Sequence, residues 1–122
     1  MLNTCFAKSL SMTRGDTARF KFQRLDADGE VILSRPDSLY FTVKSNTRNQ
    51  SFKFQKTLED MTMDSDGTYH FTILPTDTNE LAFGRYYYDL EVIEDGVKTT
   101  VSIGNFIIGP EVTYASNEGE NQ

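Results

Sequence analysis

Apolar and polar residues alternate with a period of two along most of the chain, the pattern of strands with one buried face. The longest such stretch runs from Gly84 to Gly109. Tyr86, Tyr88, Leu90 and Val92 alternate there with Tyr87, Asp89 and Glu91. Glu94-Asp95-Gly96 then supplies a tight turn, since Gly, and less readily Asp, accepts the positive φ of a two-residue hairpin loop. The return strand places Val97, Thr99, Val101 and Ile103 on one face and Lys98, Thr100 and Ser102 on the other. Gly104 is expected to interrupt it as a bulge or bend that lets Phe106 and Ile108 dock again.

The rest of the chain repeats the theme. Phe6 to Met12 reads as a first strand, with Phe6, Lys8, Leu10 and Met12 on one side; Lys8 in that series suits an edge strand. Ala18 to Gln23 alternates, with Ala18, Phe20 and Phe22 inward. A short strand is expected at Val31 to Leu33, ended by Arg35-Pro36-Asp37 because proline lacks a donor. Leu39, Phe41 and Val43 alternate with Tyr40, Thr42 and Lys44. A polar loop, Ser45 to Gln50, leads to a strand over Ser51–Lys56, which Met61 to Met63 extends or partners. Tyr69, Phe71 and Ile73 form a further inward set.

Asp-Gly turns separate these segments at Asp26–Gly29 and Asp64–Gly67. Pro75 to Phe83 is the one helical candidate, a turn or two long, with Thr76 or Asp77 as cap and Glu80 in capping-box position to Asp77. The expected fold is all-β: an immunoglobulin-like β-sandwich of about seven to nine antiparallel strands with one short helical turn. One domain spans residues 1–114, and the polar segment 115–122 reads as a mobile tail.

Composition narrows the function. The 122 residues carry a net charge of −6, with nine Phe, six Tyr and no Trp. The basic residues are scattered, which disfavours binding to a phosphate backbone, so no nucleic-acid partner is expected. Apolar runs are too short for a spanning helix, so no membrane partner is expected. Cys5 is the single cysteine. No intrachain disulfide is then possible, which suits a reducing compartment. No basic start followed by an apolar run marks a secretory leader.

Leu81, Gly84, Tyr86 and Tyr88 are arranged as at the start of the penultimate strand of immunoglobulin-like domains, where a tyrosine hydroxyl pins the crossover between sheets. Tyr86, with Gly84 before it, is the candidate structural corner, and carbonyls of Thr76 to Asn79 are the nearest expected acceptors. Tyr88 stands where antibodies place a cysteine. Several motifs then recur together in order: Arg14-Gly15-Asp16-Thr17, Leu39 to Lys44, Tyr69-His70-Phe71, Pro75 to Thr78, Gly84 to Glu91, Thr99 to Val101 with Gly104 and Phe106, and Glu111-Val112-Thr113. In these the chain resembles the N-terminal immunoglobulin-like domain of phage baseplate upper proteins and related short prophage structural proteins. That resemblance implies a virion structural protein, baseplate- or tail-associated, assembled in the bacterial host cytoplasm. Its implied partners are other virion proteins and further copies of itself.

Candidate chemistry is thin. Arg14-Gly15-Asp16 is a turn entering a strand before it is an integrin ligand. The two Asp-Gly turns lack the remaining calcium ligands of an EF-hand. His70 stands alone, short of ligands for a metal and of partners for a triad. Cys5 has no basic neighbour closer than Lys8 to lower its pKa and reads as a packed thiol. Glu80, Asp89, Glu91, Glu94 and Asp95 could supply a carboxylate pair for glycoside hydrolysis, but acids on strands and turns are ordinary surface residues. The reading is therefore non-enzymatic, without cofactor or metal. Tyr40, Tyr87 and Ile93, all predicted outward, are the expected contact residues. A carbohydrate-binding or host-adhesion module is the alternative, since outward tyrosines can stack on sugars.

Overall fold

The computed structural model describes residues 3–4, 9–46, 48 and 51–110. Cys5, the opening Phe6–Lys8 of the first expected strand, the Glu111-Val112-Thr113 motif and the 115–122 tail lie outside the described residues. Nine strands appear among the described residues: β1 (Asn3–Thr4), β2 (Ser9–Thr13), β3 (Ala18–Leu25), β4 (Ser38–Lys44), β5 (Phe54–Thr57), β6 (Thr62–Met63), β7 (Thr68–Ile73), β8 (Gly84–Glu94) and β9 (Val97–Gly109). A single helical turn, α1 (Pro75–Thr78), joins β7 to β8.

The strands form two sheets, β1-β3-β7-β6 and β2-β9-β8-β4-β5. Read as immunoglobulin strands, the first is A-B-E-D and the second contains G-F-C, extended to five by one further strand at each edge. The all-β, immunoglobulin-like sandwich expected from the sequence is the fold observed. One pairing departs from the antiparallel expectation: β2 runs parallel to β9, with Leu10 opposite Phe106 and Met12 opposite Ile108. The opening of the chain thus contributes to both sheets, β1 edging one and β2 the other.

The inner faces carry the alternating residues. Leu39, Phe41, Val43, Tyr69, Ile73, Tyr88, Leu90, Phe106 and Ile108 are all at most 1% exposed. Where antibody domains stack a tryptophan on a disulfide, this core stacks aromatics. Phe41 lies 4.7 Å from Phe71 of the opposite sheet and 5.5 Å from Tyr88, and Phe22 lies 5.0 Å from Tyr69.

The hairpin turn is as expected: Asp95 and Gly96 both hold positive φ, 54° and 79°, as a two-residue loop matched to strand twist requires. The register shift in β9 is not where Gly104 suggested. It falls between Leu90, opposite Ser102, and Glu91, opposite Thr100, leaving Val101 as the extra residue. A bulge shifts every later side chain by one, so Ser102 and Gly104 join Phe106 and Ile108 on the inner side. Ile103, expected beside Val101, instead points outward and is 62% exposed.

Three other segments differ. Val31 makes only a single bridge to Leu25, so Val31–Leu33 is no strand. The chain there must cross between sheets: Ser34 is held by Arg24, and Asp37 already donates to the Ile93 carbonyl (3.0 Å). The strand expected over Ser51–Lys56 begins only at Phe54, opposite Val43, and Phe52 is half-exposed. Thr62–Met63 pairs with β7 in the other sheet rather than with that segment.

The crossover from β7 to β8 is tied down from several sides. α1 stops after one turn, and Asp77 rather than Glu80 reaches back, its carboxylate accepting the Leu74 N–H (2.7 Å). The same carboxylate pairs with Lys56 at 2.7 Å. The buried Thr78 hydroxyl accepts the Gly15 N–H, while Arg14 donates to the Leu81 carbonyl and lies 4.1 Å over the Phe83 ring. The Arg14-Gly15-Asp16 turn is thus built into this crossover.

Tyr86 forms the corner, its hydroxyl donating to the carbonyl of Ala82 at 2.8 Å, closer along the chain than the Thr76–Asn79 carbonyls expected. Gly84, with φ of +137°, lets the chain turn into β8 just before it. Tyr86→Phe is expected to cost ~1–1.5 kcal/mol, because the Ala82 carbonyl loses its donor. Tyr69→Phe should cost almost nothing, since the buried Tyr69 hydroxyl has no partner among the described residues. Urea titration of the two variants checks the contrast.

Candidate interaction surface

The outer face of the five-stranded sheet follows from the registers. Side chains opposite one another across β2, β9, β8, β4 and β5 form rows, because residues paired in a sheet point the same way. One row is Ser11, Ile107 and Arg85; the next is Ser9, Asn105, Tyr87 and Lys44. Then come Ile103, Asp89, Thr42 and Gln55, and after them Thr100, Glu91, Tyr40 and Thr57. Lys98, Ile93 and Ser38 complete the face at the hairpin end.

Tyr40, Tyr87 and Ile93 all lie on this face and are all partly buried. They do not form one cluster. Tyr40 sits beside Glu91 and so within about 7 Å of the Ile93 row, while Tyr87 lies about 13 Å further along β8. Tyr87 keeps company instead with Ile103 and Ile107, which are 62% and 38% exposed. These two isoleucines were assigned no surface role from sequence. A change of phase between Val101 and Phe106 was legible, since both face inward at opposite parity; its position at Val101 was not.

Two concavities flank these residues. A cleft of about 420 Å³ at the hairpin end is lined by Arg35, Asp37, Ser38, Tyr40, Thr57 and Glu59, among others. A smaller depression of about 170 Å³ lies between Lys44, Tyr87, Asp89, Thr100 and Ile103.

The acids considered for hydrolysis separate. Asp89 and Glu91 share the outer face, two residues apart on β8. Glu94 is taken up by Arg24 at 2.7 Å, and Asp95 lies in the hairpin turn. Glu80 follows α1 and is exposed. Glu91 has Lys98 at 3.7 Å. Burial pushes the Asp89 carboxyl above its ordinary range, and the neighbouring Glu91 charge pushes it further, with Lys44 and Lys98 opposing. An acid raised in the folded state costs stability while ionised, and that cost disappears as pH falls through its folded pKa toward the ordinary value. Asp89→Asn is therefore expected to raise the melting temperature of dilute protein at pH 7, with the gain vanishing below about pH 4. Thermal melts across that range check the sign.

The Asp-Gly turns satisfy their own carboxylates. Asp26 accepts the N–H groups of Asp28 and Glu30, and Asp66 that of Thr68, a bond that holds the Asp66 pKa down. His70 is on the outer side of β7 and meets Asp64 at 2.7 Å. Among the described residues no three His, Cys, Asp or Glu side chains converge as metal ligands, and no helix is long and apolar enough to cross a membrane.

No protein-family model and no curated protein matches the chain. Solved structures do share its fold. An endo-beta-1,4-mannanase from Thermotoga petrophila superposes with a TM-score of 0.57 at 13% identity, over 90% of this chain. A structure described as the GspB Siglec domain superposes with a TM-score of 0.52, also at 13% identity, over 95% of this chain. The chain spans 20% of the first and 61% of the second. At such identity the likeness is one of fold.

Proposed function

We propose that this chain is an assembly module of a phage or prophage virion, a non-catalytic sandwich that binds other baseplate or tail proteins in the host cytoplasm. The observation that supports it best is the exposed apolar strip of Ile103, Tyr87 and Ile107 on a sheet face. A rigid face with aromatic and aliphatic anchors set among charged residues suits protein contacts. The ordered motifs in which the sequence resembles baseplate upper proteins suggest the setting. Antibody labelling of particles released by the source strain, imaged by electron microscopy, tests the reading. Label on the tail or baseplate, with defective particles after gene deletion, is expected; infectious particles free of the protein would overturn it.

A second reading, a carbohydrate-binding or adhesion module, is favoured by the cleft at Tyr40. There an aromatic ring borders Arg35, Ser38 and Glu59, groups able to hydrogen-bond sugar hydroxyls. The mannanase and the Siglec domain share the sandwich fold and carry nothing further. A glycan array decides: hits abolished by Tyr40→Ala would favour this second role, and a blank array would remove it.

A further inference from the structure

We propose that a second copy of this chain docks on the outer face of β8 and β9, related by a two-fold axis that runs across the strands through the Tyr87–Asn105 row. This names the partner of the strip on which the assembly reading rests. An axis in the interface plane brings one face onto its own copy, as isologous contacts require. It leaves each strand over its equivalent, within the tolerance of aligned sheet packing.

The rows either side of Tyr87 are what make the face complementary to itself. Ile107 and Arg85 form one; Ile103 and Asp89 form the other, equally far from Tyr87 along the strands. Rotation about the axis exchanges them. Ile107 of one copy then covers Ile103 of the other, beside the 170 Å³ depression at Tyr87 and Asp89, and Arg85 meets the opposing Asp89. The contact is made twice. Within a single chain, neither Arg85 nor Asp89 holds an ion pair among the described residues, whereas Glu91 already has Lys98.

Charge elsewhere opposes self-association, the chain carrying −6 overall. On this face the balance differs: Lys44, Arg85 and Lys98 stand against Asp89 and Glu91. The face is therefore the place where two acidic copies can meet without repulsion.

Sedimentation velocity on the full chain tests the pairing. The wild type is expected to dimerise with a dissociation constant between about 1 µM and 1 mM, the range of small interfaces. Arg85→Asp sets four acids against one another across the axis, and Asp89→Arg four arginines, so each alone should weaken the dimer about tenfold or more. Mixed, the two variants should form a heterodimer, because every Asp then faces an Arg; formation also shows that both are folded. A wild type monomeric to about 1 mM overturns the proposal, as do single variants that dimerise normally or a mixture that fails to pair. Should either variant lose its circular dichroism, Ile103→Ser at an exposed position takes its place, and an unchanged dimer would again overturn the proposal. Particle labelling is independent: labelled particles with a monomeric protein sink only the self-docking, and a dimer without labelling sinks only the virion role.

Discussion

Phe41→Ala is expected to destabilise the domain by ~4 kcal/mol, a large fraction of the ~5–15 kcal/mol that holds a single domain folded. Phe41 is fully buried at the centre of β4. Its ring lies 4.7 Å from Phe71 across the gap between sheets, 5.5 Å from Tyr88 and 6.2 Å from Phe106. Removing it takes away a large apolar area and leaves a cavity bordered by three stiff rings that cannot collapse inward. The lost aromatic pairs add ~0.5–1.5 kcal/mol each to what burial alone predicts, which keeps the figure off the low end of the usual ~3–5 kcal/mol range. The melting temperature should fall by about 15 °C. Ile103→Ser, on the outer side of the same sheet, should change the stability of the monomer by less than ~0.5 kcal/mol. Equal losses from the two would mean that the inner and outer faces of this sheet have been assigned wrongly.

Phe41 was legible in the sequence because a period-2 pattern needs no knowledge of which strands pair. The same holds for Phe22, Phe71, Tyr86 and Tyr88, and for the turn at Asp95-Gly96. What depends on distant partners was not legible. No local signal shows that Ser9–Thr13 lies parallel beside Asn105–Gly109, since a crossover of most of the chain separates them. The Val101 bulge depends on how β9 must bend to keep Phe106 opposite Tyr86 and Ile108 opposite Gly84. Only the change of phase between Val101 and Phe106 is written locally, and Gly104 offered a more obvious but mistaken place for it. Ile103 was thereby assigned to the core, and the surface that it forms with Tyr87 and Ile107 went unnoticed. Tyr40, Tyr87 and Ile93 were placed on the right face. That Tyr87 and Ile93 stand apart follows from their spacing along the one strand β8; that Tyr40 joins the Ile93 end follows from the register with β4, which sequence does not print.

Arg24 was missed for a different reason. It follows Phe20 and Phe22 at the same parity, and a charge there reads as the end of an inward series. The structure continues the series instead: Arg24 is 0% exposed, its guanidinium donating to the Ser34 carbonyl at 3.1 Å and to the Glu94 carboxylate at 2.7 Å. It thereby joins β3 of one sheet to the hairpin tip of the other. Asp37 holds the same tip, accepting the Asp95 N–H at 3.1 Å. Arg24→Ala should cost ~3 kcal/mol, the low end for breaking a buried pair, because Glu94 is a third exposed and can recover water. Arg24→Met should cost less, since its side chain fills the space of the arginine stem. Pairing it with Glu94→Leu should restore most of the loss, as a buried ion pair rarely outperforms a well-packed apolar replacement. Hydrogen exchange in Arg24→Ala should accelerate first at Glu94–Val97, before the rest of β8 and β9. Protection lost evenly along both strands would mean that Arg24 stabilises the sandwich as a whole and has no particular hold on the hairpin tip.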